Sequence, residues 1–185
     1  MSQSPSQAVG QVSADGQFRW DGAQWLPIPK GEREPTAWTR PMQLAVAALL
    51  TVQALYGVVS TILFIHKDDV RKALEQAGSQ VPQGMTEDQF VSFSMVGIYV
   101  SAGFVALLAL GCAVLAYFGW RWAFWVVLPI MGLFSIFALV GIPGIAASPQ
   151  AAVSEVLSLG DVALFFWMLI GAIKFGPWAM KRPGA

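Results

Sequence analysis

From Ser92 to Ile142 the chain runs 51 residues with one charged side chain, Arg121, near its middle. A soluble core of this size cannot bury so long an apolar run. A bilayer can, because about 20 apolar residues in a helix cross roughly 30 Å of hydrocarbon. The run therefore divides into two membrane-crossing segments, with Gly119-Trp120-Arg121-Trp122 as a tight turn between them. Composition agrees: 56% of residues are hydrophobic and 12% charged, about half the charged share of an ordinary soluble domain. The formal net charge is zero, so nothing implies a nucleic-acid partner. The expected class is an all-α integral membrane protein, with the lipid bilayer as its first partner.

Four spans are expected, at about 42–65, 90–118, 122–142 and 155–175. Pro41 suits a first helical turn, where its missing N–H costs nothing. Thr86-Glu87-Asp88-Gln89 has the capping-box spacing of Thr and Gln. Pro129 predicts a kink in the third span, freeing the carbonyl of Trp125. Gly97 with Ser101, Ala102 with Ala106, Ala109 with Ala113, and Gly160 with Ala163 supply small residues for close helix approach. The loop 66–89 is expected to carry a short helix capped by Asp68 or Asp69 and stopped at Gly78. The loop from Gly144 to Ser154 is uncharged.

An even number of spans puts both termini on one side. Arg19, Lys30, Arg33, Arg40, Arg121, Lys174, Lys181 and Arg182 lie on that side, against Lys67, Arg71 and Lys72 on the other. Lys and Arg favour cytoplasmic loops, so both termini are expected inside, in a bacterial plasma membrane. Trp38, Arg40, Trp120, Arg121, Trp122 and Trp178 then read as interfacial anchors on the inner face.

The N-terminal region divides into a tail (1–13), an aromatic module (14–29) and a proline-punctuated linker (30–41), and residues 176–185 form a second cytoplasmic tail. In the module, Asp15-Gly16 and Asp21-Gly22 are hairpin signals. A two-residue turn at Asp21-Gly22 sets Phe18 opposite Trp25 and Trp20 opposite Ala23. Phe18, Trp20 and Trp25 then share one face and form a candidate docking surface. A further short strand through Val12 is allowed. Two tryptophans five residues apart exclude a WW domain, whose signature pair is far more widely spaced.

The pattern Asp-Gly-x-x-x-Trp-Asp-Gly-x-x-Trp over Ala14 to Pro29 resembles a tryptophan motif near the N-termini of many actinobacterial membrane proteins. The four spans, a charged helix in the first outer loop and an Asp early in the last span are likewise similar to actinobacterial four-helix membrane proteins of unknown role. The resemblance implies a four-transmembrane-helix bundle with a short N-terminal cytoplasmic β-hairpin. It brings no known active site.

Chemistry has few places to reside. Asp161 lies inside the fourth span, where a carboxylate is costly and usually faces the bundle or a cavity. Gln53, Tyr56 and Ser60 form a polar stripe at helical spacing on the first span. Together these four residues are the candidate intramembrane polar site. Two readings stay open for Asp161: a proton, cation or ligand site, or an acid hydrogen-bonded between helices or placed near headgroups. His66 sits at the outer end of the first span. One histidine and one cysteine, Cys112, offer no zinc constellation, and no catalytic motif or phosphate loop appears. No enzyme, catalytic residue, metal or cofactor is expected. The sequence favours an interaction or scaffold protein that docks a partner, or a second copy of itself, through its aromatic hairpin. A small transporter or channel subunit built on Asp161 and the span-one stripe is the alternative.

Overall fold

The computed structural model describes residues 8–29, 31–141 and 149–183. Five helices dominate: α1 (Thr39–Phe64), α2 (Lys67–Gln76), α3 (Glu87–Tyr117), α4 (Arg121–Gly141) and α5 (Pro149–Lys174). Short strands β1 (Phe18–Trp20), β2 (Trp25–Pro27), β3 (Glu34–Pro35) and β4 (Met180–Lys181) flank them. α1, α3 and residues 152–174 of α5 are long and apolar enough to cross a membrane. Residues 121–136 of α4 form a shorter apolar stretch. Large apolar side chains such as Phe93, Phe104, Leu107 and Ile173 point away from the protein. A soluble monomer rarely exposes so much apolar surface, and these helices mark a membrane protein.

The four long helices run up and down. Arg40, in the first turn of α1, donates from its guanidinium to the carbonyl of Tyr117 at the end of α3, 2.9 Å away. Trp178, just past α5, donates from its indole to the carbonyl of Trp120, which precedes α4. The start of α1, the α3–α4 turn and the end of α5 therefore meet at one end of the bundle, the terminal end.

Helix boundaries follow local chemistry. At α3, Thr86 and Gln89 each cap the other's backbone N–H, as their spacing predicts. At α2 the N-cap is His66, and Asp69 accepts from the His66 N–H at 3.1 Å. The expected Asp68 or Asp69 cap is thus replaced by Asp69 acting from the third helical position. α5 begins at Pro149, so residues 149–154 of the expected loop are helical. The rest of that loop lies outside the described residues. α4 continues through Pro129 to Gly141.

Helix pairing departs from the reading of residues 92–142 as one hairpin. α3 packs chiefly on α1, α4 packs chiefly on α5, and α3 and α4 make few contacts with each other. Glycine placement gives the reason. A Cβ on Gly132 of α4 would meet the ring of Phe165 at 2.9 Å, and a Cβ on Gly160 of α5 would meet Leu49 of α1 at 3.2 Å. These contacts draw α4 to α5 and α5 to α1. Gly97, Gly103 and Gly111 of α3 face open space, so Gly97 is no contact point. Of the expected small-residue stripe, Ala106 and Ala113 are buried.

The packed core lies at the terminal end. Met42, Val46, Phe124, Met168 and Trp178 form one buried cluster with Ala116 and Ala179. Trp178 sits in a turn at Pro177–Ala179 with φ of 56°, a left-handed conformation uncommon outside glycine. Its ring meets Phe124 edge-on, centroids 5.3 Å apart. Burial and the indole hydrogen bond hold the backbone in this strained state.

Trp178 was expected as an interfacial anchor; it is instead fully buried and plugs the bundle. The tail is anchored with it. The hydroxyls of Thr36 and Thr39 both donate to the carbonyl of Ala179, at 2.8 and 3.0 Å. β3 pairs antiparallel with β4, Glu34 opposite Lys181 and Pro35 opposite Met180. The linker and the C-terminal segment, read from sequence as a free linker and tail, thus form a clasp.

The aromatic module forms a hairpin with β1 antiparallel to β2: Trp20 opposite Trp25, Arg19 opposite Leu26, Phe18 opposite Pro27. The register is two residues from the expected one, because the loop holds four residues, Asp21 to Gln24. The Asp21 carboxylate accepts from the N–H groups of Ala23 and Gln24, both at 2.7 Å, and closes a wider turn than a two-residue one. A shift of two preserves faces, so Phe18, Trp20 and Trp25 still share one. A bridge from Val12 to Arg19 adds the third strand-like segment.

Candidate functional site

Because α3 and α4 diverge, a cleft of about 840 Å³ opens among α1, α3, α4 and α5. It occupies the half of the bundle away from the termini. Its walls are mostly aliphatic and aromatic, among them Leu50, Ile98, Val105, Ile130, Leu133 and Phe134. Gln53, Tyr56, Ser101, Glu155, Ser158 and Asp161 supply the polar groups, and Cys112 also lines it. Among the described residues, no Lys, Arg or His contributes to the lining.

Asp161 lies twelve residues into α5, about 18 Å along it at the helical rise, rather than near a span end. It is 2% exposed, so it faces the bundle. Its Oδ2 accepts from Gln53 Nε2 of α1 at 2.9 Å, and the same amide reaches the Leu157 carbonyl at 3.4 Å. Its Oδ1 is buried and has no hydrogen-bond partner among the described residues.

Glu155 lies six residues earlier in α5, a little under two turns: it is 9% exposed, and its Oε1 is buried and has no partner among the described residues. Two acids in one apolar cleft, each with an unmet acceptor, form the unusual feature of this molecule.

Of the four expected polar residues, the structure brings Asp161, Gln53 and Tyr56 to the cleft. Ser60 is not among the lining; its hydroxyl donates to the Gly57 carbonyl of its own helix. Sequence reading missed Glu155, taken only as the start of the fourth span. The signal was available: Glu155 and Asp161 are the only charged residues between Arg121 and Lys174.

The hairpin face is partly exposed, with the Trp20 and Trp25 centroids 5.5 Å apart. On its other face Arg19 pairs with Glu32 at 3.2 Å and Glu34 at 2.9 Å, tying the module to the linker and so to the clasp. Hydrogen bonds hold the carboxyls of both turn aspartates below their ordinary pKa: at Asp15 from the Ser13 hydroxyl and the Gln17 N–H, at Asp21 from the N–H groups of Gln24 and Ala23.

Among the expected anchors, Trp120 and Trp122 are exposed, as is Arg121. Arg40 lies over the Tyr117 ring, 4.5 Å from its centroid. Lys174 lies 5.5 Å over the ring of Trp38. These side chains surround the terminal end, where an interface would place them.

No protein-family model, curated protein or solved structure matches this chain.

Proposed function

We propose that this chain is a four-span membrane protein, both termini cytoplasmic, whose bundle holds a binding site for a small molecule, in a transporter or receptor role. One observation carries the reading: the buried, unpartnered Oδ1 of Asp161 at the wall of an apolar cleft. A clefted site with few convergent polar groups is the usual form of a ligand pocket, and 840 Å³ is within the usual size range. The fourth crossing is supported by α4, whose 21 residues reach about 31 Å. The inward termini are supported by eight basic residues on the terminal side against three opposite. The tryptophan motif supports a bacterial plasma membrane.

The test uses Cys112, the only cysteine, which lines the cleft. In nanodiscs holding the full chain, a lipid-soluble maleimide should alkylate Cys112, and cleft-binding compounds from a diverse amphipathic panel should slow it. Leu133→Trp, which fills the cleft, should slow it without any compound. If no panel member and no filling substitution changes the rate, the reading fails.

The hairpin favours a second role. Trp20 and Trp25 meet at a tilt, centroids 5.5 Å apart, on a face that also carries Phe18, a form suited to docking a cytoplasmic partner. The observation that favours it is the exposure left on those rings although the module is already tied down through Arg19. Identical proximity-labelling neighbours with and without Trp20→Ser and Trp25→Ser would remove this role.

A further inference from the structure

We infer that the ligand of the cleft is a lipophilic cation: a molecule of apolar bulk carrying one fixed or protonated positive charge. The inference rests on the small-molecule reading of the same cleft and names the class of its occupant.

The charges point one way. Asp161 and Glu155 both line the cleft, both are at least nine-tenths buried, and each keeps an oxygen without a partner among the described residues. Among the described residues no basic side chain lines the cleft to balance them. The basic residues of the distal loop are engaged elsewhere or lie outside the lining; Arg71, for one, pairs with Glu87 and Asp88 at 2.9 and 2.6 Å. An anion entering the cleft meets two acids and no donor of charge. A neutral apolar molecule leaves both carboxylates without a countercharge, and a buried charge without one is costly. A cation meets the Asp161 and Glu155 oxygens while its apolar bulk covers the walls.

The acceptors fix position as well as sign. Gln53 occupies Asp161 Oδ2, which leaves the buried Oδ1 as the acceptor without a partner among the described residues. The ligand's charge therefore belongs on the α5 side, within reach of Asp161 and Glu155. Its bulk belongs against Ile98, Val105, Ile130 and Phe134 of the diverging α3 and α4. Tyr56 offers an aromatic ring in the same lining, and a ring face also attracts cations.

Tetraphenylphosphonium is the probe, tetraphenylborate its anionic counterpart of the same shape, and triphenylphosphine oxide a neutral relative. Each is tested on the full chain in nanodiscs of phosphatidylglycerol alone, by equilibrium dialysis of labelled probe and by slowing of Cys112 alkylation. The phosphonium should bind saturably at one per chain and protect Cys112; the borate should do neither. Asp161→Asn should weaken the phosphonium roughly 100-fold, the scale of removing one partner of a buried charge pair. Glu155→Gln should weaken it by a smaller factor in the same direction. Both variants keep the side-chain shape, and each is accepted only with wild-type monodispersity and melting.

Adding phosphatidylethanolamine identifies the source of the charge. If it alone protects Cys112, in an Asp161-dependent way, the cation is a lipid amine; if it does not, the occupant is a free amphiphile. Equal binding of neutral or anionic probe, or undiminished binding by both variants, overturns the cation class and leaves the cleft as a site. Failure of all three probes where the amphipathic panel protects Cys112 overturns the cation class alone. Failure of the panel as well overturns both.

Discussion

The two ends of the bundle are built on opposite principles. At the terminal end α1, α4, α5 and the chain beyond them close around Trp178 in one buried cluster with Met42, Phe124 and Met168, and the linker and tail are clasped by β3 and β4. In the distal half α3 and α4 part, and the space between them is lined by acids whose hydrogen-bonding capacity is not used up. One end is optimised for packing. The other leaves polar acceptors unmet, as sites that bind something do, at some cost in stability.

The contrast is broken most directly at Trp178. Trp178→Ala removes a fully buried ring and leaves the Trp120 carbonyl without its donor. A loss of about 3–5 kcal/mol is expected, read by denaturant or thermal unfolding of purified protein in one detergent. The matching change in the distal half, Leu133→Ala, removes a side chain that is half exposed in the cleft. It should cost less than about 1 kcal/mol. Comparable losses at the two positions would mean that the ends are not built differently.

Gly119 tests the same end through the backbone. It turns α3 into α4 with φ of 69°, and a Cβ there would collide with the Gln43 amide. Gly119→Ala should cost about 1–2 kcal/mol from the left-handed backbone alone, with the collision added. Gln43→Ala in the same chain should return the collision part and no more. Full recovery in the double variant would show that the turn does not need the left-handed backbone.

In the distal half the expectation reverses. Asp161→Asn keeps the shape and a partner for Gln53, and it removes a carboxylate with an unmet oxygen. Stability should stay within about 1 kcal/mol of wild type or rise. A large loss would make Asp161 a structural residue and would move the distal half to the packed side of the comparison.

Much of this was legible in the sequence, and the failures have physical causes. Hydropathy placed the long helices to within three residues at every end but the start of α5, which lies six residues earlier than expected, because a helix satisfies its own backbone in lipid. Alternation placed Phe18, Trp20 and Trp25 on one face, and it survived a register shift because two residues restore the pleat. The register itself was hidden in one side chain: the Asp21 carboxylate captures two N–H groups and widens the turn.

Burial of Trp178 was illegible, because Gly176-Pro177 reads locally as a helix stop and a tryptophan after it as an anchor. Only the packing of Phe124 and the carbonyl of Trp120 decides otherwise. The pairing of α4 with α5 rather than α3 was illegible for a similar reason. Adjacent helices are the default partners, and the glycines that overrule this act against side chains far away in sequence. Asp161 and Gln53 were found by polarity alone. Glu155 was missed because an acid at a span end reads as solvated until the helix proves to begin at Pro149.

The hairpin supplies the smallest effects, as a surface module should. Arg19→Ala breaks two partly buried ion pairs and should cost less than about 1 kcal/mol for each, with tryptophan fluorescence of the module changed and bundle unfolding unchanged. Acid should act on the same module through Asp15 and Asp21. Their carboxyls are held below the usual value of about 4 by hydrogen bonds that exist only in the folded turns. Lowered folded pKa values mean stabilisation that is complete above the unfolded value and lost as pH falls through the folded ones. Hairpin fluorescence should therefore stay constant from neutral pH down to about 4 and change only below it, while Asp21→Asn flattens the acid transition. A transition centred above 4 would assign the titration to other groups and would show that the turn carboxylates do not hold the hairpin. The terminal plug should not follow this transition, since the buried polar residues described near it are Thr39 and Gln43, and neither is a carboxylate. An acid-induced loss of bundle stability in step with the hairpin would mean that the β3–β4 clasp couples the two more tightly than its few hydrogen bonds imply.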